Sequence, residues 1–221
     1  QLVIMVDCGS TSNDAVSFLN EKNIKSIIID HHEINRPYPK SDVIINPKKN
    51  NGYGEYDYLC ATTLTYFLLD IVNKKNNFHY ELSNLLIYVL HASICDVMPM
   101  RKLNRIIAID TLKKFNIKKN ISFDILFKLN NKKDKLTIDD LGYLIGPIIN
   151  SSGRLGKSTL STELLTSDNT ELIKKNSRAL IELNNKRKEI EKKILDEIDF
   201  KKIEKENQNV IIYINRNIKE G

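Results

Sequence analysis

Three short apolar runs, each closed by a polar or turn-forming residue, constrain the fold of this chain more than any other feature of its sequence. They are residues 2–7, 25–30 and 42–47, and they end at Asp7, Asp30 and Pro47. Between the first two runs, residues 15–19 carry apolar side chains at helical spacing. Strand, helix and strand at this spacing predict a βαβ unit, and therefore an α/β fold built on a parallel sheet. The continuous apolar run at residues 2–7 is typical of a buried parallel strand.

The remainder of the chain is predicted to be mainly helical. Helical apolar periodicity occurs around residues 59–71, 82–90, 106–115 and 123–127. Glycine and proline in residues 141–156 predict a structured loop between helices. Residues 170–200 carry one apolar seam among charged residues, which predicts a long helix that either connects two domains or lies solvated on the surface. Residues 210–214 predict the first strand of a further domain.

Composition narrows the class of protein. The 221 residues carry a formal charge of +6, which fits a partner with phosphate groups, although a Lys- and Asn-rich composition explains the charge equally well. The three cysteines form no CxxC pair, which argues against a disulfide scaffold or a zinc cluster and for a reducing, cytoplasmic setting. No apolar run approaches the roughly 18 residues of a membrane span.

Acidic and imidazole side chains stand at the ends of the first two predicted strands. Asp7 closes the first, and Asp30, His31 and His32 close the second. Ligands bind beyond the carboxyl ends of strands in open parallel sheets, and Asp and His both bind Mn²⁺, Fe²⁺ or Zn²⁺. We therefore expect a metal site here, with one of the two adjacent histidines reaching the ion. The alternatives are a helix cap for Asp7 and an ordinary polar turn for residues 30–32.

A further acid, Asp96, follows a strongly apolar helical stretch. A carboxylate among apolar residues needs a hydrogen-bonding or positively charged partner, and a metal ion is one candidate. A capping role, or a salt bridge with Arg101 or Arg105, is the alternative.

The segment Asn150-Ser-Ser-Gly-Arg154 combines a flexible backbone, hydroxyl groups and a guanidinium, which together can hold a phosphate, although a plain turn would have the same sequence. Lys48 and Lys49 could also meet a phosphate backbone. His79 and His91 are expected to be ordinary, the first in a polar loop and the second in the core.

The order of these segments resembles one family. The stretches VIMVDCGS, IIIDHHE, DVIINP, LCATTLTYFLL, HASICDVMPMRKLNR and IGPIINSSGRLG resemble the RecJ branch of the DHH phosphoesterase superfamily from residue 1 to about residue 200. The pattern Asp-x-x-Pro-x₄-Asn-Arg, from Asp96 to Arg105, is specific to that branch. The pattern Gly-Pro-x₂-Asn-x₂-Gly-Arg, from Gly146 to Arg154, is the second specific one.

The resemblance implies a role for each candidate residue. The implied metal ligands are Asp7, His31 and Asp96. The implied catalytic residues, which orient the ligands or contact the phosphate, are Asp30 and His32. The implied substrate-phosphate residues are Asn150, Ser152 and Arg154. The implied reaction is metal-dependent hydrolysis of single-stranded DNA from the 5′ end, with two Mn²⁺ or Mg²⁺ ions in the complete family.

The resemblance also implies an organisation and a setting. Residues 1–200 would form the DHH phosphoesterase domain, with 170–200 as its connecting helix, and residues 201–221 would begin the DHH-associated domain. The setting would be cytoplasmic DNA repair and recombination. Single-stranded DNA would be the partner, and helicase or single-strand-binding proteins would join the complete protein.

Three departures from the family pattern qualify this expectation. The Asp-x-Asp-Gly motif that precedes the first strand in the family is absent from the sequence, Ala61 and Thr63 replace two usual glycines, and the DHH-associated domain has barely begun at Gly221. We therefore expect an internal fragment that is inactive or weakly active alone. The alternatives are a DHH phosphodiesterase acting on short oligonucleotides or nucleotides, and a fragment that only binds metal or nucleic acid.

Overall fold

The computed structural model describes residues 1–49, 54–133, 135–154 and 158–197, without the side chain of Arg154. The chain forms two compact units, Gln1–Phe115 and Asn116–Gly221. The predicted strand at residues 210–214, and the predicted start of the DHH-associated domain at 201–221, lie outside the described residues. The boundary of the DHH domain at residue 200 stays a prediction.

A parallel sheet forms the base of the first unit, as predicted. Its strands β1 (Leu2–Val6), β2 (Lys25–Ile29) and β3 (Val43–Ile45) follow one another in the order β1-β2-β3. In the register of the sheet Val6 is opposite Ile29, which is opposite Ile45. The next residues, Asp7, Asp30 and Asn46, therefore come together at the carboxyl end of the sheet.

Strand β1 differs from the buried strand that its sequence predicted. Leu2, Ile4 and Val6 are 54%, 52% and 43% exposed, whereas Ile28 and Ile29 of β2 are buried. The reason is position, because β1 is an edge strand among the described residues and one of its faces meets solvent. An apolar run therefore identified the strand correctly but not its burial.

Helices occupy the rest of the first unit. The described helices are α1 (Asn13–Glu21), α2 (Ala61–Lys75), α3 (Leu86–Cys95) and α4 (Lys102–Lys114). Helix α3 is as apolar as its sequence predicted, and it packs between α2 and α4. Thr63, in place of a family glycine, is fully buried, and its hydroxyl lies 3.4 Å from that of Ser93 on α3. A polar contact thus connects α2 with α3 at this position.

The described part of the second unit is helical. Its described α-helices are α5 (Ile121–Leu129), α6 (Gly146–Arg154), α7 (Thr159–Thr166) and α8 (Thr170–Glu197). Helix α8 confirms the predicted long helix, and it packs against α5, α6 and α7. Ile173 and Leu180 on its seam are fully buried, whereas Ile190 and Leu195 are both 49% exposed. The first half of α8 is therefore part of the core of this unit, and its second half presents apolar side chains to solvent.

The loop predicted for residues 141–156 is wrong over most of its length. Residues 140–145 form a π-helical segment that leads directly into α6. The N–H of Gly146 donates to the carbonyl of Leu141, five residues back, so the turn is wider than in an α-helix. A widened turn accommodates Pro147, which has no N–H to donate. Glycine and proline therefore mark an irregular turn inside a helical segment here.

No helix in the described part of the chain combines the length and the apolar character needed to cross a bilayer.

Candidate metal centre

The ring of His31 lies between two carboxylates at the carboxyl end of the sheet. Its Nε2 atom is 3.3 Å from Oδ1 of Asp7 and 3.0 Å from Oδ2 of Asp96. The His31 side chain is buried, and Nε2 has no hydrogen-bond partner because the geometry to either oxygen is unsuitable. The structure thus brings together three residues from the ends of β1, β2 and α3.

This arrangement fits a divalent cation. A buried polar atom without a hydrogen bond is uncommon, and each such atom calls for an explanation. Two ligands that each lie about 2.1 Å from one octahedral ion are about 3 Å apart, close to the distances found here. Asp7, His31 and His32 also offer ligand atoms that all lie within 4.8 Å of one another. The donor set, carboxylate oxygen and imidazole nitrogen, suits Mn²⁺.

Backbone strain is present on both sides of this centre. Asp7 has a φ of 63°, and Val97, the residue after Asp96, has a φ of 54°. These values lie in the left-handed region, which is unusual for a carboxylate residue and a true outlier for a β-branched one. Each such residue costs on the order of 1–3 kcal/mol, and such costs are concentrated at functional sites. The surrounding structure therefore holds Asp7, and the residue that follows Asp96, in backbone conformations that a relaxed chain would avoid.

Asp30 organises the backbone around the centre. Its buried carboxylate accepts hydrogen bonds from the backbone N–H groups of Ser10, His31 and His32, and it contacts Nδ1 of His32 at 2.7 Å. Burial alone would raise the pKa of the Asp30 carboxyl, but the hydrogen bonds with Ser10 and His32 outweigh burial and hold that pKa well below its ordinary value. Asp30 is therefore a permanent anion that fixes the direction of its two histidine neighbours.

His32 is the exposed member of the histidine pair. The hydrogen bond with Asp30 raises the pKa of His32 above its ordinary value, against a smaller opposing effect of burial. Because an ionised Asp30 can only accept, Nδ1 of His32 carries a proton and Nε2 is left for an ion or a substrate. The His31 and His32 ring centroids are 4.6 Å apart, so both rings belong to the centre.

Ser10 and Asn46 belong to the same network, and sequence reasoning assigned neither a role. The side-chain N–H₂ of Asn46 donates to Oγ of Ser10 at 2.8 Å and to the carbonyl of His32 at 3.0 Å. The signal was available, since Asn46 directly follows the apolar residues of the third run, as Asp7 and Asp30 follow those of the first two. An amide at such a position can connect neighbouring strand ends by hydrogen bonds.

Asn104, in the pattern that begins at Asp96, has a structural role. Its side-chain N–H₂ donates to the carbonyls of Tyr58 at 2.7 Å and Pro99 at 3.1 Å. This pair of bonds fastens the turn after Asp96 to the segment before α2. Arg101 pairs with Asp57 at 2.8 Å, and no ion pair joins Asp96 to Arg101 or Arg105 in the described residues. The salt-bridge alternative for Asp96 is therefore not found there.

The predicted substrate-phosphate residues all lie on α6, in the second unit, and not in a loop. Asn150 is exposed. Ser152 is buried, and its hydroxyl bonds the Ile149 carbonyl and the Ser161 hydroxyl. Its contact with phosphate stays a prediction. The side chain of Arg154 lies outside the described structure, and its role stays a prediction.

The two remaining histidines match their expected character. His79 is exposed. His91 is buried in α3, and burial lowers the pKa of His91 to about 4. Its ring lies 3.7 Å from the sulfur of Cys95.

Comparisons with known proteins identify relatives. The model of the DHH family, N-terminal domain, matches residues 1–94. The single-stranded-DNA-specific exonuclease RecJ of Haemophilus influenzae is 31% identical over 201 residues, which cover 86% of this chain and 35% of that protein. The RecJ of Escherichia coli is 31% identical over 204 residues with the same coverage. The chain therefore spans about a third of the length of these relatives.

Solved structures agree on the fold. RecJ from Thermus thermophilus in complex with Mn²⁺ superposes with a TM-score of 0.78 at 21% identity, over 89% of this chain and 30% of that one. A structure of exonuclease RecJ bound to manganese also gives 0.78 at 21% identity, over 89% of this chain and 50% of that one. The protein belongs to the DHH family, and its relatives within that family are the RecJ-type single-strand-specific exonucleases.

Proposed function

We propose that this protein is the core of an exonuclease that hydrolyses single-stranded DNA from the 5′ end with Mn²⁺ or Mg²⁺. The observation that carries the proposal is Nε2 of His31, buried without a hydrogen bond between the carboxylates of Asp7 and Asp96. Asp7, His31 and Asp96 would hold the ion. The names of the relatives support the substrate, and metal-bound structures of RecJ support the choice of ion.

Each residue of the centre has a part in this reaction. A bound ion would polarise the phosphate and make a water molecule more acidic. Asp7 and Asp96 would offset the charge of the ion, and the left-handed backbone at Asp7 and at Val97, the residue after Asp96, supports a site that is held in place before substrate arrives. Asp30 fixes the ring of His32 through Nδ1, which leaves Nε2 of His32 to contact the ion or the phosphate. Asn150 and Arg154 on α6 would contact the phosphate of the substrate in the same reaction.

The setting of the complete protein is part of the proposal. RecJ-like function implies a cytoplasmic role in DNA repair and recombination, with helicase or single-strand-binding proteins as partners. Three matched ligands can hold one ion, whereas two-ion hydrolysis needs further carboxylates.

The test compares Asp96→Ala with Asp110→Ala in the complete protein. Asp110 is a surface carboxylate that pairs with Lys114 on α4, so its loss removes the same charge away from the centre. With Mn²⁺ and a 5′-phosphorylated single strand, Asp96→Ala should lose essentially all release of mononucleotides, and Asp110→Ala should retain it. Equal turnover in the two variants would refute the proposal. Preference for dinucleotides over long strands would favour a phosphodiesterase acting on short substrates.

A further inference from the structure

A cluster of two cations around one aromatic ring lies close in the chain to the ends of β2 and β3. The guanidinium carbon of Arg36 is 5.7 Å from the ring centroid of Tyr38, and Nζ of Lys49 is 5.6 Å from the same centroid. We call these three residues the Tyr38 cluster. Contacts of this length are cation–π interactions, which are strongest where the cation is otherwise poorly solvated.

The Tyr38 cluster carries uncompensated positive charge. Within the described residues, neither Arg36 nor Lys49 forms an ion pair with a carboxylate. The nearby acid Glu33 pairs with Lys48 instead, at 2.8 Å. Two cations that share one ring repel each other, and an anion placed between them would relieve that repulsion. The cluster therefore favours an anionic ligand with a flat group that can stack.

Hydrogen bonds fix this cluster beside the metal centre. The side chain of Asn46 donates to the carbonyl of His32 at 3.0 Å and accepts from the N–H of Lys48 at 2.8 Å. The N–H of Lys49 donates to the carbonyl of Asn46 at 3.1 Å, which closes the turn. Three residues of chain span at most about 10 Å, so the backbone of Lys49 lies within about 10 Å of Asn46. At roughly 3.4 Å per nucleotide, this distance corresponds to about three nucleotides of a bound strand.

We propose that the Tyr38 cluster is a binding subsite for single-stranded nucleic acid. One base stacks against the planes of Tyr38 and Arg36, and Arg36 and Lys49 contact the phosphates on either side of it. Aromatic rings and guanidinium planes are the usual platforms for unpaired bases, and basic side chains follow the backbone between them. This proposal rests on the proposed function, since it supplies a path for the strand that the metal centre would cut.

The test measures binding without cleavage. A labelled 5′-phosphorylated oligothymidylate is titrated with the chain in EDTA at several salt concentrations, and affinity is read by fluorescence anisotropy. The variants are Arg36→Gln/Lys49→Gln and Tyr38→Leu. The matched control is Lys118→Gln/Lys119→Gln, which removes two exposed lysines from the other unit. Thermal unfolding checks that every variant folds as the wild type does.

The expected results differ between the variants. Removing two phosphate contacts should lower the slope of log affinity against log salt by about 1.4, at roughly 0.7 per contact. Tyr38→Leu should weaken binding by about tenfold or more with the slope unchanged, because it removes stacking and no charge. The control should change the affinity and the slope much less. Equal slopes in Arg36→Gln/Lys49→Gln and the control, or wild-type affinity in Tyr38→Leu, would overturn the proposal, as would a wild-type chain that does not bind.

The outcome is separable from that of the hydrolysis test. The binding test is carried out in EDTA, so it needs neither a bound ion nor turnover. Failure of the Tyr38 variants to alter binding would reject the subsite and leave the metal centre untouched. Hydrolysis that survives loss of Asp96 would reject the metal centre and leave the binding result standing.

Discussion

Nε2 of His31 lies 3.0 Å from Oδ2 of Asp96 and forms no hydrogen bond with it. These residues come from a strand end and a helix end that are 65 positions apart in the chain. Asp7 approaches the same nitrogen from the neighbouring strand. The nitrogen therefore lies within 3.3 Å of one oxygen from each of two carboxylates without a hydrogen bond to either. That is the expected geometry of ligands around a shared cation.

Asp30→Asn should weaken both the fold and the metal centre. One oxygen of Asp30 accepts from Ser10 and the other from His31 and His32, so an amide N–H₂ would face a donor on one side. Leaving a buried donor unpaired costs about 1–3 kcal/mol. Loss of the group that orients His32 should lower Mn²⁺ affinity about 10–100-fold.

The control for this variant is Asp42→Asn, because Oδ2 of Asp42 accepts one backbone N–H, from Ser26, away from the centre. Urea unfolding and Mn²⁺ titration measure the two effects. If Asp30→Asn and Asp42→Asn had the same stability and the same Mn²⁺ affinity, Asp30 would not organise the centre.

Gly9→Ala should destabilise the first unit. Gly9 has a φ of 107°, and a Cβ there would lie 3.1 Å from Cγ1 of Ile28 and 3.3 Å from Sδ of Met5. The backbone conformation costs an alanine about 1–2 kcal/mol, and crowding a buried strand adds about as much again. The matched control is Gly153→Ala, whose Cβ would meet nothing within 4 Å in α6. We expect that control to gain about 0.5–1 kcal/mol. Urea unfolding measures the free energy of unfolding of both variants. Equal values would contradict this role of Gly9.

Stability should fall between pH 6.5 and pH 4 because of His91. Burial lowers the pKa of His91 to about 4, whereas the unfolded value is near 6.5. The unfolded chain therefore binds a proton in this window that the folded chain does not, so stability present above pH 6.5 is lost as the pH falls, by up to about 3 kcal/mol. The raised pKa of His32 has the opposite effect, because the stability that it contributes is lost as the pH rises above 6.5.

The measurement for His91 is the urea midpoint at pH 6.5 and pH 4.5, in the wild type and in His91→Leu. The variant should lose most of the difference between the two pH values. If the urea midpoint changed equally in both proteins between pH 6.5 and pH 4.5, the pH dependence would come from titrating groups other than His91.

Arg154→Lys should weaken binding of single-stranded DNA, because lysine offers a point charge where arginine offers a planar fork. Arg154→Ala should also lower the salt slope by about 0.7, the value of one phosphate contact. Anisotropy titrations in EDTA measure both effects. An unchanged slope in Arg154→Ala would mean that the arginine supports the structure and does not contact phosphate.

The sequence predicted the ligand end of the sheet well because parallel strands place their carboxyl ends together. Polar residues that directly follow the apolar runs are therefore expected to lie close together. Asp7, Asp30 and His31 lie together at this end of the sheet. Asp96 could be placed by the family pattern, but its approach to His31 depends on the packing of α3, which local sequence does not specify. The network through Ser10 and Asn46 was missed because each residue alone is an ordinary turn former.

The errors have physical causes. Glycine and proline at residues 141–156 favour a loop, but a π-helical turn removes the hydrogen bond that Pro147 cannot make, so the helix continues. The apolar run of β1 indicated burial on both faces, whereas burial of a strand depends on its neighbours.

Binding of Mn²⁺ to the isolated chain shows whether Asp7 and Asp96 hold an ion, because it needs neither DNA nor turnover. Free Mn²⁺ is measured by electron paramagnetic resonance during titration of the wild type, Asp7→Asn, Asp96→Asn and the surface control Asp110→Asn. We expect a saturable site in the wild type and in Asp110→Asn. We expect an affinity at least about tenfold weaker in Asp7→Asn and in Asp96→Asn, since removing a ligand should cost at least as much as removing a residue that orients one. Equal Mn²⁺ affinity in all four proteins would mean that neither carboxylate is a ligand.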